Sequence, residues 1–282
     1  MARTDTLGNF LTDVAEAIRT KEGTTETIPA SEFDTRISNL SGGGEKYAPK
    51  FITFRGFTGT DLSYETSNLD TSNMTTFNNM FAESTYLKNV DLSKFQTVNG
   101  TGFAGLFSKC SSIQNLDLSS FNFTNATTLG AMFSDCTNLE SVILPPAGAK
   151  ADGVYNVFRN CSKLTTITWG SSGYITNGDC SRMFEGCTNL TRVDLSKFNV
   201  YCKYGSYMFN GCSNLQHINL GMFSPRGMGS LSSNRSGMLN GVPTDCEIIT
   251  WNDSTKSWFN QYFPEYTNIK TVEEYEAEQQ SL

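Results

Sequence analysis

The sequence predicts an α/β repeat solenoid, in which short units stack side by side and their strands form one parallel β-sheet. Two observations lead to this prediction: a unit of about 26 residues recurs with its apolar positions in register, and the composition suits a thin core. Hydrophobic residues make up 38% of the 282 residues and charged residues only 17%, so turn-forming polar residues fill the remainder. A single unit cannot bury its own apolar edge, whereas stacked copies can.

The repeat is clearest at residues 183–198, which read MFEGCTNLTRVDLSKF. A Phe follows six of the seven anchor residues on which the copies align, and a Cys stands four residues after five of them. Leu or Ile stands seven residues after six of the anchors. The anchors are Met80, Leu106, Met132, Val157, Met183, Met208 and Met238. Constant spacing of this kind predicts ladders of like side chains that run through the stack.

The spacing within a unit predicts its local structure. Apolar residues stand ten and twelve positions after the anchor, so they point to the same face of a strand. In the clearest copy these are Val193 and Leu195, and Asp194 between them is expected to face outward. The Met-Phe-x-x-Cys part has helix-like spacing and predicts one short helical turn. Each unit is therefore expected to contain a turn, a bend and a strand, close to the leucine-rich pattern L-x-x-L-x-L.

The segment before the array predicts two short helices within residues 1–40. Apolar residues from Leu7 to Ile18 recur at helical spacing, and Ser31 is suited to cap a second helix that runs to about residue 40. Helices this short need a packing partner, so this segment is expected to contact copies of itself or another protein. Residues 41–46 contain a triple glycine and are expected to form a linker, although a loop inside one domain also fits.

The repeat domain is expected to span residues 47–251. Phe51, Ile52 and Phe54 suggest an opening strand in a degenerate first unit, which would shield the open end of the stack. Residues 252–282 are expected to form a C-terminal cap and an acidic tail. Aromatic residues in that segment are suited to cover the last unit, and the tail is expected to be frayed or a short exposed helix.

Composition argues against several classes of partner. The formal net charge is −7 and no basic stripe is visible, so nucleic acid and anionic membranes are not expected as partners. No stretch approaches the roughly 18 apolar residues of a membrane span, and the N-terminus lacks the apolar run of a secretory signal. The chain is therefore expected to be soluble and made in a cytoplasm.

The eight cysteines do not have the spacing of a metal site. Five of them occupy the same position in successive units, and none forms a CxxC or CxxH motif. Neighbouring units bring these thiols close enough for disulfides, but five cannot all pair. Buried thiols that pack as small apolar residues are favoured. Cys180 and Cys202 fall in the same connecting segment of adjacent units, so a bridge between them stays open.

The outward-facing residues are the candidates for contact with a partner. Asp91 and Asp117 stand on adjacent units and are either a shared cation site or part of a solvated strand face that bonds nearby amides. The only histidine is expected to face outward, without a nucleophile nearby in sequence. The long last spacing, from Phe223 to Met238, is an insertion of the kind that often binds partners in solenoids. The candidate contact residues are Asp91, Asp117, Arg192, Asp194, His217, Asn219, Arg226 and Arg235.

The repeats resemble a known family. The pattern M-F-x-x-C-x-x-L-x-x-V-D-L-S-x-F is similar to the leucine-rich repeats of BspA-type bacterial surface proteins, and residues 68–81, NLDTSNMTTFNNMF, resemble that family's linker between repeats. The resemblance covers residues 60–251 and weakens at 144–146 and 168–170, where LPP and TWG replace Asp-Leu-Ser. Residues 15–40, AEAIRTKEGTTETIPASEFDTRISNL, resemble a short helical segment of structural proteins of tailed bacteriophages.

Together, these resemblances imply a bacteriophage virion structural protein, of the tail fibre, receptor-binding or head decoration type. The N-terminal helices would attach the chain to other virion proteins as a homo-oligomer, with a trimer as the expected form. The repeat domain would adhere to a glycan or protein on the host surface. A BspA-like adhesin on a bacterial cell surface is the alternative, and a glycan-degrading enzyme is less favoured because no carboxylate pair converges. No catalytic residue, metal ligand or cofactor is predicted.

Overall fold

The repeats stack as a parallel β-solenoid, which confirms the fold class predicted from the sequence. The computed structural model describes residues 52–146, 151, 153–170, 174–196, 198–228 and 232–281. The helices expected within residues 1–40, the linker at 41–46 and Phe51 lie outside these described residues. Among the residues described, no helix combines the length and the apolar character that crossing a membrane requires.

Short strands alternate with long runs of turns along the described chain. The strands are β1 (Asn115–Asp117), β2 (Ser141–Ile143), β3 (Thr166–Thr168), β4 (Tyr174–Asp179), β5 (Arg192–Asp194), β6 (Phe198–Tyr204), β7 (His217–Asn219), β8 (Glu247–Thr250) and β9 (Ile269–Thr271). The helices are α1 (Ser63–Ser67), α2 (Asp253–Tyr262) and α3 (Val272–Gln280), with 3-10 segments at Pro225–Met228 and Ser232–Asn234.

The described strands form three parallel sheets, ordered β1-β2-β3, β4-β6 and β5-β7-β8-β9. Residues ten positions after the anchors pair with one another, as predicted. Leu116 lies opposite Val142, and Val193 lies opposite Ile218, and all four are buried. The strands β3 and β5 fall in different sheets, and β4 and β6 pair in the connecting segments that follow them. The sheet is therefore interrupted between β3, which belongs to the unit that departs from the repeat pattern at 168–170, and β5.

The Met-Phe-x-x-Cys segments are runs of tight turns, so the predicted helical turn is wrong. In all seven units the residue before the anchor and the residue three after it have positive φ. These residues are Asn79, Glu83, Gly105, Lys109, Ala131, Asp135, Asn156, Asn160, Arg182, Gly186, Tyr207, Gly211, Gly237 and Gly241. Left-handed residues at a four-residue interval reverse the chain, and a helix cannot continue through them.

The turns point their amides at the next unit of the stack. Phe81 N donates to Leu106 O at 2.9 Å, and the equivalent bond recurs in every unit as far as Phe209 N and Met238 O, also at 2.9 Å. The turn side is therefore a second backbone ladder beside the strands. Sequence spacing cannot distinguish this ladder from a helix, because both place Phe and Cys on one buried side.

A stack of phenylalanine rings runs through the core. Successive ring centroids are 4.9–6.1 Å apart and the planes are nearly parallel. The rings belong to Phe54, Phe81, Phe107, Phe133, Phe158, Phe184 and Phe209. The opening strand predicted at Ile52 and Phe54 is wrong, because Phe54 N donates to Met80 O at 2.7 Å, the bond that links later units. The ladder thus begins one unit before the first predicted anchor.

The C-terminal segment closes the far end of the array. Asn252 caps α2 by accepting a hydrogen bond from Thr255 N, and Phe259 on that helix is buried with Phe263 beyond it. The strand β9 then adds to the sheet beside β8, and α3 follows at once with a capping box between Thr271 and Glu274. The acidic tail is therefore a helix laid against the array, and β9 is a strand that the sequence pattern did not predict.

Candidate functional site

Four of the eight candidate contact residues lie together on neighbouring strands. In the register of β5 and β7, Arg192 lies opposite His217 and Asp194 lies opposite Asn219. Arg192 is exposed, whereas Asp194 and Asn219 are half-buried. The pair of strands thus gathers a guanidinium, a carboxylate, an amide and an imidazole within two adjacent units.

The three outward aspartates shape the turns that follow them, and Asp91 lies outside the described strands. Asp91 Oδ1 accepts from Ser93 N at 2.9 Å, and Asp117 and Asp194 accept from the amide two residues later at 2.8 and 2.9 Å. Hydrogen bonds from the Ser93 side chain and amide hold the pKa of the Asp91 carboxyl below its ordinary value. These bonds favour the strand-face interpretation over a shared cation. Across the described ranges, no three His, Cys, Asp or Glu side chains are grouped to hold a metal ion.

The expectation that His217 faces solvent is wrong. The residue is only 8% exposed, because the C-terminal helix α3 brings the Tyr275 ring to 5.8 Å from the imidazole. Its Nδ1 lies 2.8 Å from Glu247 Oε2 on β8. A carboxylate can only accept, so Nδ1 carries the proton, and Nε2 lacks a hydrogen-bond partner among the described residues. Sequence reasoning missed this contact because Tyr275 is far away along the chain.

The imidazole belongs to a chain of hydrogen-bonded polar side chains that ties α3 to the sheet. Glu247 Oε1 accepts from Lys270 Nζ at 3.0 Å, and Lys270 also pairs with Glu278 on α3. Burial, helped by the positive charge of Arg192, lowers the pKa of His217 although the Glu247 hydrogen bond opposes the shift. Burial alone would raise the pKa of the Glu247 carboxyl. The hydrogen bonds from Lys270 and His217 together outweigh burial, so the pKa is lowered. The pair is therefore neutral imidazole with ionised carboxylate.

The two candidate arginines lie in the insertion between Phe223 and Met238. The guanidinium of Arg235 lies 3.8 Å from the centroid of the Tyr262 ring, which holds it against α2 by a cation–π contact. Arg226 belongs to the Pro225–Met228 segment, and the position of its side chain lies outside what the structure describes. The insertion is therefore fastened to the C-terminal cap by Arg235.

The cysteine ladder is a hydrogen-bond ladder. Each in-register thiol donates to the carbonyl of the Phe in the preceding unit, from Cys110 Sγ to Phe81 O at 3.0 Å through Cys212 Sγ to Phe184 O at 3.1 Å. All eight cysteines are buried thiols, so the open bridge between Cys180 and Cys202 is not formed. Burial raises the pKa of Cys110 to about 12. Thiols of this kind are poor nucleophiles and structural in role.

A cluster of charged side chains around Glu185 lies on the turn side of the units, and the sequence pattern did not predict it. Glu185 accepts from Arg159 Nε at 3.0 Å, from Arg182 Nη1 at 2.9 Å and from Asn210 Nδ2 at 3.1 Å. Burial opposes its ionisation, and the hydrogen bonds from both arginines nevertheless lower the pKa of the carboxyl. Because the carboxylate is already surrounded by donors, this group stabilises three neighbouring units rather than forming an open site.

An open cleft of about 300 Å³ lies between the insertion and the C-terminal cap. Its described lining residues are Met222, Phe223, Ser224, Pro225, Trp251, Asn252, Ser254, Thr255 and Trp258. Trp251 is 52% exposed and Met222 is 40% exposed, although both are large apolar side chains. The long last spacing predicts a contact surface at this insertion, but it points to neither Met222 nor Trp251. Alignment of the units marks both residues as unusual, because the other units carry small or polar residues at the positions of Met222 and Trp251.

Comparisons with known proteins agree with the architecture. Residues 154–243 match the family model described as BspA type leucine rich repeat region (6 copies), and residues 53–168 match the model described as Mycoplasma protein of unknown function, DUF285. A search of curated proteins found no match to this chain. The similarity to BspA-type leucine-rich repeats is therefore found at residues 154–243. Neither model reaches the segment before residue 53, so its resemblance to bacteriophage structural proteins stays a prediction.

Proposed function

We propose that this protein is an adhesion protein whose repeat domain binds a glycan or protein on a cell surface. The observation that carries the proposal is the parallel solenoid, of which residues 154–243 match BspA-type repeats, a repeat class typical of surface proteins. Strand and turn ladders fix the spacing of outward residues from unit to unit, which suits recognition of an extended partner. The side chains that recur in register are used for stacking, so binding depends on those that differ between units.

The adhesion proposal has a direct test with the full chain. Purified protein carrying a fluorescent label is mixed with intact bacteria of several species, and bound label is measured by flow cytometry. Saturable binding to some species and competition by unlabelled chain support the proposal. A folded chain that binds every species weakly and without saturation contradicts it.

In its more specific form, the proposal places the chain in a bacteriophage virion. The support is the resemblance of residues 15–40 to a helical segment of tailed-bacteriophage structural proteins. Residues 1–40 would then attach the chain to other virion proteins as a homo-oligomer, and the repeat domain would project toward the host. Mass spectrometry and immunogold labelling of purified particles test this form. Absence of the chain from particles rules the virion form out and leaves the adhesion proposal intact.

A BspA-like adhesin on a bacterial cell surface is the second candidate, and the family match at residues 154–243 favours it. The two candidates differ in where the repeat domain is displayed, on a virion or on a bacterial cell. An antibody against this chain distinguishes the two candidates. If the chain is a bacterial adhesin, the antibody labels the outside of intact cells that release no particles. Labelling of particles alone selects the virion form.

A further inference from the structure

We propose that the cleft beside Trp251 binds a neutral pyranose sugar of a surface glycan, a proposal that rests on the adhesion function and names its ligand. The cleft volume of about 300 Å³ is at the lower end of the range for small-ligand sites. A site of this size suits one or two sugar rings at the end or side of a longer glycan.

The exposed indole is a departure from the repeat. Thirteen residues after the anchor, three units carry serine at Ser93, Ser119 and Ser196, while the last unit carries Trp251 at that place. The serine positions are exposed, and the indole is 52% exposed. A tryptophan left in water adds nothing to stacking, whereas covering its apolar face with a ligand is favourable. Because stacking of the units does not require an indole at this position, the Trp251 side chain is assigned to contact with the sugar.

The part of the lining that Trp258 contributes is held rigidly by packing. Trp258 belongs to α2, and its ring centroid lies 5.1 Å from that of Phe259, 5.2 Å from Tyr262 and 5.9 Å from Phe263. Phe259 and Phe263 are themselves buried in the cap. A wall fixed by packing loses little conformational freedom when a ligand arrives, so more of the contact energy is available for affinity.

The polar lining residues match a neutral, hydroxyl-rich ligand. Ser224, Asn252 and Ser254 contribute hydroxyl and amide groups, which both donate and accept hydrogen bonds. Asn252 Oδ1 accepts from Thr255 N at 3.0 Å, which fixes the plane of that amide at the cleft. None of the described lining residues carries a charged side chain. Sugar hydroxyls pair with such groups while the C–H face of the ring lies on the indole, whereas an anionic ligand finds no cation among the described lining residues.

The test titrates the full chain with neutral saccharides. The probes are glucose, galactose, mannose and N-acetylglucosamine, each free and as a short oligosaccharide, followed by calorimetry and by tryptophan fluorescence. We expect millimolar or tighter binding of at least one probe, with a change in indole emission. Trp251→Ala is expected to weaken that binding by about tenfold or more, and Trp251→Phe to retain part of it. Tyr86→Ala, which removes an aromatic ring that is 61% exposed outside the cleft, is the matched control and should bind normally.

The outcomes separate this proposal from the adhesion function. If the wild-type chain adheres to cells but binds none of the saccharides, or binds them equally well as Trp251→Ala, the cleft proposal is overturned while adhesion stands. Binding of an apolar peptide at Trp251 in place of every sugar also overturns it. If saccharides bind at Trp251 but no cell is bound, the cleft is supported and the adhesion function fails. Each variant is first compared with wild type by its thermal transition, so that only folded chains are counted.

Discussion

Tyr266 Oη donates its single proton to Leu239 O at 2.7 Å, and Val242 O at 3.0 Å shares that proton in a bifurcated hydrogen bond. Leu239 occupies the position that carries Phe in the earlier units, where the carbonyl accepts a bond from the cysteine thiol of the following unit. No unit with the full repeat pattern follows the one that contains Leu239. The thiol ladder ends at Cys212, because Val242 stands at the next cysteine position, and Tyr266 supplies a side-chain donor to the Leu239 carbonyl of the last unit.

The first prediction concerns this cap. Tyr266→Phe removes the hydroxyl, so the buried Val242 carbonyl loses its donor while Leu239 O keeps its bond from Val242 N, and the free energy of unfolding is expected to fall by about 1–3 kcal/mol. Urea unfolding followed by circular dichroism measures the change. Tyr64→Phe, on a side chain that is 72% exposed, is the matched control and should differ little from wild type. Equal stability of the two variants would contradict the role of Tyr266 as a hydrogen-bond donor to the last unit.

The second prediction concerns the thiol ladder. Ser84 takes the cysteine position in the unit that begins at Met80, where its hydroxyl donates to Phe54 O at 2.9 Å and accepts from Phe57 N. Cys161 makes the same donation to Phe133 O at 3.1 Å. Cys161→Ser is therefore expected to keep most of the stability, while Cys161→Ala should lose about 1–3 kcal/mol. If denaturant unfolding shows the alanine variant to be the more stable of the two, the thiols act by packing alone.

The third prediction concerns a close approach between adjacent units. Gly221 has φ of +53°, and a Cβ atom there would lie 2.3 Å from Leu195 O. Gly211 also has positive φ, at +77°, but the nearest atom to its Cβ would be 3.8 Å away. Gly221→Ala should therefore cost several kcal/mol, whereas Gly211→Ala should cost only the roughly 1 kcal/mol of a left-handed alanine. Thermal transitions of the two variants give the comparison, and similar values would show that the steric contact is not rigid.

The fourth prediction concerns pH. Folding lowers the pKa of His217 below its ordinary value of about 6.5, so the unfolded chain binds this proton more readily and stability falls as pH drops from about 7 to 5.5. Glu247 adds a loss only at lower pH, because its folded pKa lies below the ordinary carboxyl value of about 4.3. His217→Gln should flatten the slope between pH 7 and 5.5. The chain has one histidine, so no other imidazole contributes. An unchanged slope in the variant would remove His217 as the cause.

Local periodicity was sufficient to predict the stack, because each unit repeats the same short-range pattern. The pairing of Val193 with Ile218, the buried thiols and the Phe stack all follow from aligning copies. The left-handed turns did not follow, because residues as different as Tyr207 and Gly237 occupy the same position before their anchors and the four-residue spacing also fits a helix.

The residues around the candidate site depended on contacts far apart in sequence. His217 was expected to face solvent, and Tyr275 covers it only because α3 returns to the sheet after β9. The cleft is likewise built from two segments, one near Met222 and one near Trp251. Periodicity describes how a unit stacks, so it carries no information on how a segment outside the pattern packs on the array. Alignment of the repeats does identify residues that differ from the repeat pattern, and Trp251 is one of them.

Binding of the full chain to intact cells before and after mild periodate oxidation of their surface sugars tests the central claim most directly. The account predicts saturable binding by the wild-type chain, lost both on oxidised cells and in Trp251→Ala. Absence of saturable binding to any cell type, in a preparation whose circular dichroism and thermal transition show a folded repeat domain, would contradict it.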